Sequence, residues 1–151
     1  MAILKVFKYL QDDEYQSLLQ TAERKSFRPG ALLIRQGEEQ TSLHILVKGN
    51  AKVVRDHEGF MVDISQRGPG EIFGDMSFIE GQPASASVEA CDPEVLAIVI
   101  THANIKKFIQ ADPAFAGRFY ESLAAILSRR LRDTTDMLDA SQSPEDVWGN
   151  P

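Results

Sequence analysis

Between residues 27 and 100 the sequence alternates short β-branched runs with turn signals, and this pattern restricts the fold more than any other feature. The runs are ALLIRQG, SLHILVKG, AKVVRD, FMVDISQ, SASVEA and EVLAIVI, and they are separated by PG, GEE, KGN, DHEG, RGPG and CDPE. The apolar residues of SLHILVK recur with a period of two, which is typical of a strand. Strands this short and evenly spaced predict a sandwich or barrel with a jelly-roll path, and we expect about eight of them. The expected core is Leu33, Ile45, Val47, Val53, Ile72, Phe73, Val88, Leu96 and Ile98.

Helical patterns flank the β region on both sides. Asp12 or Asp13 is predicted to cap a helix through EYQSLLQTAER. Thr101 is predicted to cap HANIKKFIQ, and Asp112-Pro113 places a cap and a first-turn proline before a longer helix, AFAGRFYESLAAILSRRLRDTTDMLD.

The fold class is therefore mainly β with flanking helices: a double-stranded β-helix, or jelly-roll β-roll, with a long C-terminal helix. We predict one domain over residues 1–140, with the β-roll at about 27–100 and the C-terminal helices at about 101–140. A flexible tail is predicted over 141–151, because this stretch is polar and rich in turn residues.

The long helix carries more apolar surface than one contact would bury. Its apolar residues recur every four positions, so the stripe advances about 40° per step around the helix. We expect the first half to pack on the β-roll and the second half on the same helix of a second subunit, and packing of both halves on one domain is the alternative. The predicted dimer residues are Phe119, Leu123, Ile126, Leu127, Leu131 and Leu138.

Charge and composition disfavour several classes of partner. The net charge of −6 makes the surface as a whole repel phosphate backbones, so no nucleic acid is expected for this chain alone. No apolar run approaches the ~20 residues of a membrane span, and no cleavage-like site follows the N terminus. The single cysteine, Cys91, is typical of a reducing compartment. We therefore predict a cytoplasmic protein.

Catalytic and metal chemistry are not indicated by any spacing in the chain. His44, His57 and His102 fall in a strand, a turn and a helix start, and none has a metal-ligand companion at useful spacing. The sequence has no nucleophile elbow, P-loop or paired-carboxylate arrangement. We predict neither a catalytic nor a metal site, and no enzyme.

Three stretches together resemble a known family, the cyclic-nucleotide-binding domains. FRPGALLIRQGEEQTSLHILVKGNAKV resembles the front half of such domains, through Gly30, the run Ile34–Glu38, and Gly49 after Leu43-His44. PGEIFGDMSFIEGQPASASVEA is similar to the phosphate-binding cassette of kinase regulatory subunits, with no insertions or deletions. The long helix with SRRLRD looks like the dimer helix of catabolite-activator-type bacterial regulators. The resemblance implies a regulatory module for signal transduction.

For the cassette, the resemblance implies a sharp turn at Phe73-Gly74 and a short helix that begins near Asp75 and aims its N–H groups at a phosphate. In the family a carboxylate after that glycine accepts a ribose hydroxyl, and an arginine nine residues later pairs with the phosphate. The matching positions are Asp75, for which a helix cap is the structural alternative, and Ala84, so the arginine is missing. Backbone N–H groups of 74–77 and 84–85 are expected to converge on one concave site. The candidate pocket residues are Phe73, Gly74, Asp75, Met76, Ser77, Ala84, Ser85 and Ala86.

The missing arginine predicts poor cyclic nucleotide binding. Loss of about 3–4 kcal/mol raises a dissociation constant several hundredfold. Arg35, Arg67 and Lys52 are the candidates for supplying the charge instead.

Three hypotheses stay open for the function. The first is a small sensor that signals through its C-terminal helix, with weakly bound cyclic AMP or cyclic GMP, or another small anion, as its ligand. The second is a ligand-free structural or protein-interaction module. The third is the sensor part of a transcription regulator, cut before its helix-turn-helix.

Overall fold

The described residues form a β-roll of eight strands, with one helix before it, one within it and two after it. The computed structural model describes residues 5–39 and 42–141, with side chains up to residue 139. The elements are α1 (Asp12–Gln20), β1 (Glu23–Phe27), β2 (Leu32–Ile34), β3 (Ser42–Lys48), β4 (Ala51–His57), β5 (Phe60–Arg67), β6 (Ile72–Phe73), α2 (Asp75–Glu80), β7 (Ser87–Ala90), β8 (Val95–Thr101), α3 (His102–Ala111) and α4 (Pro113–Ser141).

The eight strands form two antiparallel sheets of four, in the orders β1-β8-β3-β6 and β2-β7-β4-β5. No helix falls within the described residues 32–39 and 42–55. The predicted fold class is confirmed: mainly β, jelly-roll, with flanking helices and a long C-terminal helix. The predicted tail at 141–151 lies outside the described residues, apart from the backbone of Ser141.

A tight hairpin turn joins β4 and β5. The strands pair from His57 with Phe60 to Ala51 with Arg67. Glu58 and Gly59 both have positive φ, 53° and 85°, which matches the right-handed twist of the flanking strands.

Strand β1 was not predicted, because the helical pattern was extended to Arg24. The structure ends α1 at Gln20 and pairs Glu23–Phe27 with β8. Four of the five β1 side chains are exposed, so the strand has no apolar alternation to detect, and its backbone pairing with β8 decides its conformation. The cap of α1 also differs: Gln11 is the N-cap, and its N–H donates to Glu14 at 2.9 Å, while Asp12 and Asp13 lie in the first turn.

The core forms two clusters on the two faces of the β3–β8 sheet. Between the sheets lie small and medium side chains, among them Leu46, Ala51 and Val88. On the other face, helices α1, α3 and α4 cover Leu43 and Ile45 with large side chains. The expected core residues are buried except for three that are half-buried, Val47, Val53 and Leu96. Register shifts between strands occur beside Val47 and Val53, which interrupts the simple alternation.

Helix α4 packs its first half on the rest of the chain and is attached beyond that half through Arg130. The Asp112 carboxylate accepts the Ala114 N–H at 3.0 Å, as the predicted cap requires. Phe119, Leu123 and Ile126, which were predicted as dimer residues, are buried in the core of the chain itself and are not available to a partner. Every described side chain from residue 131 to 139 is exposed. None of the helices in the described part of the chain is long and apolar enough to cross a membrane.

Gly49 marks a close approach between two turns of the roll. Its φ is +81°, and a Cβ atom there would lie 2.3 Å from the carbonyl oxygen of Glu94. The resemblance had singled out this glycine, and the structure gives a steric reason for it.

Candidate functional site

A cavity of about 120 Å³ opens where α2, the β2–β7–β4–β5 sheet and α4 meet. The structure brings all eight predicted pocket residues to its wall. It adds four apolar side chains, Ile34, Val53, Ile72 and Val88, and two arginines, Arg67 and Arg130.

The turn into the cavity follows the predicted geometry. Gly74 has a φ of 88°, in the left-handed region that favours glycine, and it is the N-cap of the short helix α2. Gly81, with a φ of 69°, ends that helix. The stretch Gly81 to Val88 then returns along the cavity to strand β7 without any charged residue.

The backbone of Ala84 does not point its N–H group into the cavity, and this part of the prediction is wrong. The Ala84 N–H donates to the carbonyl of Glu38 at 3.0 Å, and the Ala84 carbonyl accepts the Gly37 N–H at 2.8 Å. These two bonds fix the stretch to the loop after β2. The methyl group of Ala84 still lines the cavity, so an arginine at this position would begin at the cavity wall.

Asp75 binds an arginine from the C-terminal helix. Its carboxylate is 3% exposed and accepts a hydrogen bond from Nη1 of Arg130 at 2.9 Å. Nη2 of Arg130 also donates to the carbonyl of Ile72. Asp75 makes no side-chain cap bond to α2. The pair joins α4 to the cavity wall, and removal of either partner would leave an uncompensated buried charge.

Sequence reasoning missed Arg130 because SRRLRD was assigned as a whole to the dimer helix. A signal was present in the spacing. Arg130 follows Phe119, Leu123 and Ile126 at helical intervals of four, three and four, so it lies on the same face as these core residues. A long cationic side chain at the end of a buried apolar face of a helix indicates that it contacts an acidic or carbonyl group of the same domain.

Helices α2 and α4 also meet through aromatic rings. The buried Phe78 of α2 stacks on Tyr120 of α4, with ring centres 6.2 Å apart. The short helix of the pocket therefore contacts α4 at two places, Phe78 and Asp75.

Arg67 is the one of the three candidate compensating cations that lines the cavity. Its Nη1 lies 3.5 Å from Glu71, its Nε donates to Ser65 at 3.4 Å, and its guanidinium carbon lies 5.9 Å from the centre of the Phe73 ring. Burial lowers the pKa of Arg67, and the positive charge of Arg130 lowers it further. Arg35 and Lys52 line a different groove.

The histidines and the cysteine form no metal site in the part of the chain that the structure describes, where no group of three His, Cys, Asp or Glu side chains could hold an ion. His44 is 7% exposed, His57 is exposed at the end of strand β4, and His102 begins α3. Burial lowers the pKa of His44 to about 4. Cys91 is free and half-buried.

Comparison with known proteins identifies relatives of this arrangement. The family model described as "Cyclic nucleotide-binding domain" matches residues 24–112. The cyclic AMP receptor protein of Thermus thermophilus is 30% identical over 136 residues, which is 89% of this chain and 60% of that protein. The cAMP-dependent protein kinase type II regulatory subunit of Drosophila melanogaster is 32% identical over 85 residues, 56% of this chain and 22% of that protein. The chain thus spans less than two thirds of the length of either relative.

Solved structures agree with this result. A cyclic nucleotide-binding domain from Methylobacillus flagellatus superposes with a TM-score of 0.82 at 21% identity, covering 95% of this chain and 84% of that one. The catabolite activator protein of Thermus thermophilus gives a TM-score of 0.71 at 27% identity, covering 89% and 62% of the two chains.

Proposed function

The chain belongs to the cyclic nucleotide-binding domain family, and from this membership we propose that it is a regulatory module whose pocket controls its C-terminal helix. The role is one of binding rather than catalysis. A cytoplasmic location is part of the proposal and rests on the cysteine content. Because the chain covers only 60% of the cyclic AMP receptor protein, the sensor part of a longer regulator remains the alternative.

The contact of Arg130 with Asp75 and the Ile72 carbonyl carries this proposal. Among the described side chains of α4, Arg130 is the last that is half-buried, and those that follow it are exposed. A ligand that takes the Asp75 carboxylate removes the partner of Arg130. Breaking a buried ion pair typically costs about 3–5 kcal/mol, which is enough to supply the 1–3 kcal/mol of a typical coupling between two sites.

Cyclic nucleotides are proposed to bind weakly. Ala84 offers a methyl group where the resemblance expects the phosphate-binding arginine, and the Asp75 carboxylate is already engaged by Arg130. From the loss of the bidentate pair we expect dissociation constants above about 100 µM for cyclic AMP and cyclic GMP.

Equilibrium titration with labelled cyclic AMP and cyclic GMP tests the cassette. Ala84→Arg should tighten binding at least about tenfold, since a charged hydrogen bond contributes about 1.5–3 kcal/mol. Ala86→Arg is the matched control, because it adds the same charge to the same cavity at another position. Submicromolar binding by the unmodified protein would contradict the proposal. No response to Ala84→Arg would favour the second hypothesis, a ligand-free interaction module.

Hydrogen exchange of α4 tests the coupling. Saturating ligand on the Ala84→Arg variant should change the exchange of the amides near Arg130, and Arg130→Gln should abolish that change. If ligand binding leaves the amide hydrogen exchange of α4 unchanged, the pocket does not influence the helix and the coupling is refuted.

A second copy of the chain is the proposed partner of the exposed side of α4. Tyr120 is 45%, Leu131 69% and Leu138 54% exposed. Together with Ala124, Leu127 and Thr134 they alternate at intervals of four and three, the heptad spacing of a two-stranded coiled coil. Such a stripe is complementary to itself across a two-fold axis, which a homodimer requires.

Sedimentation tests the homodimer at tens of micromolar protein. Leu131→Glu should give a folded monomer, whereas Arg129→Glu, on the opposite side of the helix, should leave the dimer in place. A monomeric wild type, or equal effects of the two substitutions, would contradict the dimer.

A further inference from the structure

We propose that the pocket accepts a small organic anion whose charged group is held by Arg67, from the β5 side of the cavity rather than from the Ala84 side. This inference rests on the proposal that the pocket is a ligand site, and it specifies the chemical class of the ligand and the residue that binds its charge.

Arg67 has unused hydrogen-bonding capacity at the cavity. Arg130 is already bound to Asp75 and the Ile72 carbonyl, although its buried Nε has no hydrogen-bond partner among the described residues. A guanidinium carries five N–H donors. Those of Arg67 make two contacts, at 3.4 Å to Ser65 and 3.5 Å to Glu71, both longer than an ordinary N–H···O bond. Among the described residues, Nη2 of Arg67 donates to no partner. Arg130, by contrast, is anchored to Asp75 at 2.9 Å.

The surroundings of Arg67 favour an added negative charge. Its side chain is only 25% exposed, so water solvates it incompletely. A second guanidinium, that of Arg130, lies nearby and shares the same Glu71 oxygen at 3.9 Å. Arg130 is paired with the Asp75 carboxylate, so the two cations face two carboxylates, and the two contacts of Arg67 are both long. An anion placed at Arg67 gains charge-assisted hydrogen bonds there. The Phe73 ring beneath Arg67 holds the guanidinium in this position.

The walls of the cavity indicate that the anion has an apolar part. Most of the lining beside the arginines is aliphatic or aromatic, and the volume of about 120 Å³ has room for roughly eight to twelve water-sized groups. Ligand pockets for drug-sized molecules are larger, roughly 300–1,000 Å³. A short carboxylate or a comparably small organic phosphate fits such a space. The apolar walls are Ile34, Val53, Ile72, Phe73 and Val88.

Nuclear magnetic resonance titration of the whole protein tests the inference, with butyrate, butyramide and inorganic phosphate as probes at constant ionic strength. Butyramide has the shape of butyrate without its charge, and phosphate has charge without an apolar part. Butyrate should shift the amides around Gly74 and Ser85 saturably, and butyramide should bind at least about tenfold more weakly. Methyl phosphate, compared with butyrate, then distinguishes an organic phosphate from a carboxylate.

Substitutions identify the residue that binds the charge. Arg67→Gln should weaken butyrate binding about ten- to a hundredfold, the factor expected for losing a hydrogen bond between charged groups. Arg35→Gln is the matched control, because it removes the same charge from a residue that lines the other groove. Arg67→Lys keeps the charge and should retain most of the binding, which guards against a general loss of folding.

Equal butyrate affinity in the wild type and Arg67→Gln would overturn the inference, as would equal binding of butyramide or the absence of any saturable shift with butyrate. Tighter binding of inorganic phosphate than of both organic probes would overturn the organic assignment. If Ala84→Arg fails to improve cyclic nucleotide binding while butyrate binding still depends on Arg67, the proposed cassette function fails and the present inference stands. The reverse result refutes the present inference alone.

Discussion

Acidification should destabilise the fold through one histidine, His44. Its imidazole is 7% exposed in strand β3, and the nearest aromatic ring, that of Phe27, has its centre 6.4 Å away. Its Nδ1 atom has no hydrogen-bond partner among the described residues. Burial therefore lowers the pKa of His44 to about 4 from an ordinary value of 6.5, and the positive charge of Lys25 acts in the same direction.

The sign and size of the effect follow from proton linkage. The unfolded chain protonates this imidazole near pH 6.5, whereas the folded chain resists protonation until about pH 4. Between these values the unfolded state binds more protons, so the stability present above pH 6.5 is lost as the pH falls toward 4. At 1.36 kcal/mol per unit of pKa, the loss approaches about 3 kcal/mol, against a typical total of about 5–15 kcal/mol for a domain.

Urea unfolding measures this loss directly. The free energy of unfolding is compared at about pH 7.5 and about pH 4.5 in the wild type and in His44→Phe. Because the readout is the difference between two pH values, any packing cost of phenylalanine cancels. The wild type should lose about 2–3 kcal/mol more than the variant over this range.

Other acid-sensitive groups contribute equally to the pH dependence of stability in the wild type and in His44→Phe, so their contributions cancel. The ion pairs that lower the pKa values of Asp12, through Lys5, and of Glu14, through Arg118, are present in both proteins. His57→Phe, at the exposed end of strand β4, should retain the loss seen in the wild type. An equal loss in the wild type and His44→Phe would refute the assignment to His44.

Three further predictions test the packing by urea unfolding at neutral pH. Gly49→Ala should cost at least about 2 kcal/mol, because a Cβ atom there meets a backbone carbonyl, whereas Gly30→Ala, with φ +85° and nothing within 4 Å of its Cβ, should cost only about 1 kcal/mol. Ser122→Ala should cost about 1–2 kcal/mol, since this fully buried hydroxyl accepts a backbone N–H of the N-terminal segment at 3.0 Å. Arg130→Gln should cost about 3 kcal/mol, and Asp75→Asn in the same protein should recover part of it, because the buried carboxylate then no longer lacks a cation.

Much of the fold could be predicted because its strands are bounded by strong turn signals. Positive φ values at Gly30, Gly37 and Gly49 coincide with the sequence positions where the apolar runs end. Strand β1 could not be found in the same way. Its polar residues lie on an exposed edge of a sheet, where partner backbone groups on β8 determine the conformation and side-chain alternation does not.

In the candidate site, too, the features set by local sequence could be predicted, and the features set by contacts distant in sequence could not. Gly74 and the start of α2 at Asp75 were predictable, because a local turn determines them. The Ala84 amide donates a hydrogen bond to the loop after β2, 46 residues earlier in the chain. No local sequence pattern predicts this bond. Arg130 reaches the pocket from a position 55 residues after Asp75.

The two faces of α4 show where the proposed coupling between the pocket and the helix would act. The face with Phe119, Leu123 and Ile126 is buried by the domain, and it ends at Arg130, whose guanidinium contacts the cavity wall. Beyond this residue the described side chains leave the domain surface, and the heptad stripe is the only regular apolar feature of that part of the helix. A change at Asp75 therefore acts on the final attachment of the helix to the domain, while Leu131 begins the stretch proposed to meet a second subunit. Because these two adjacent residues lie on two faces, the pocket contact lies one residue from the proposed interface. In this proposal, a ligand would affect assembly without moving the rest of the fold.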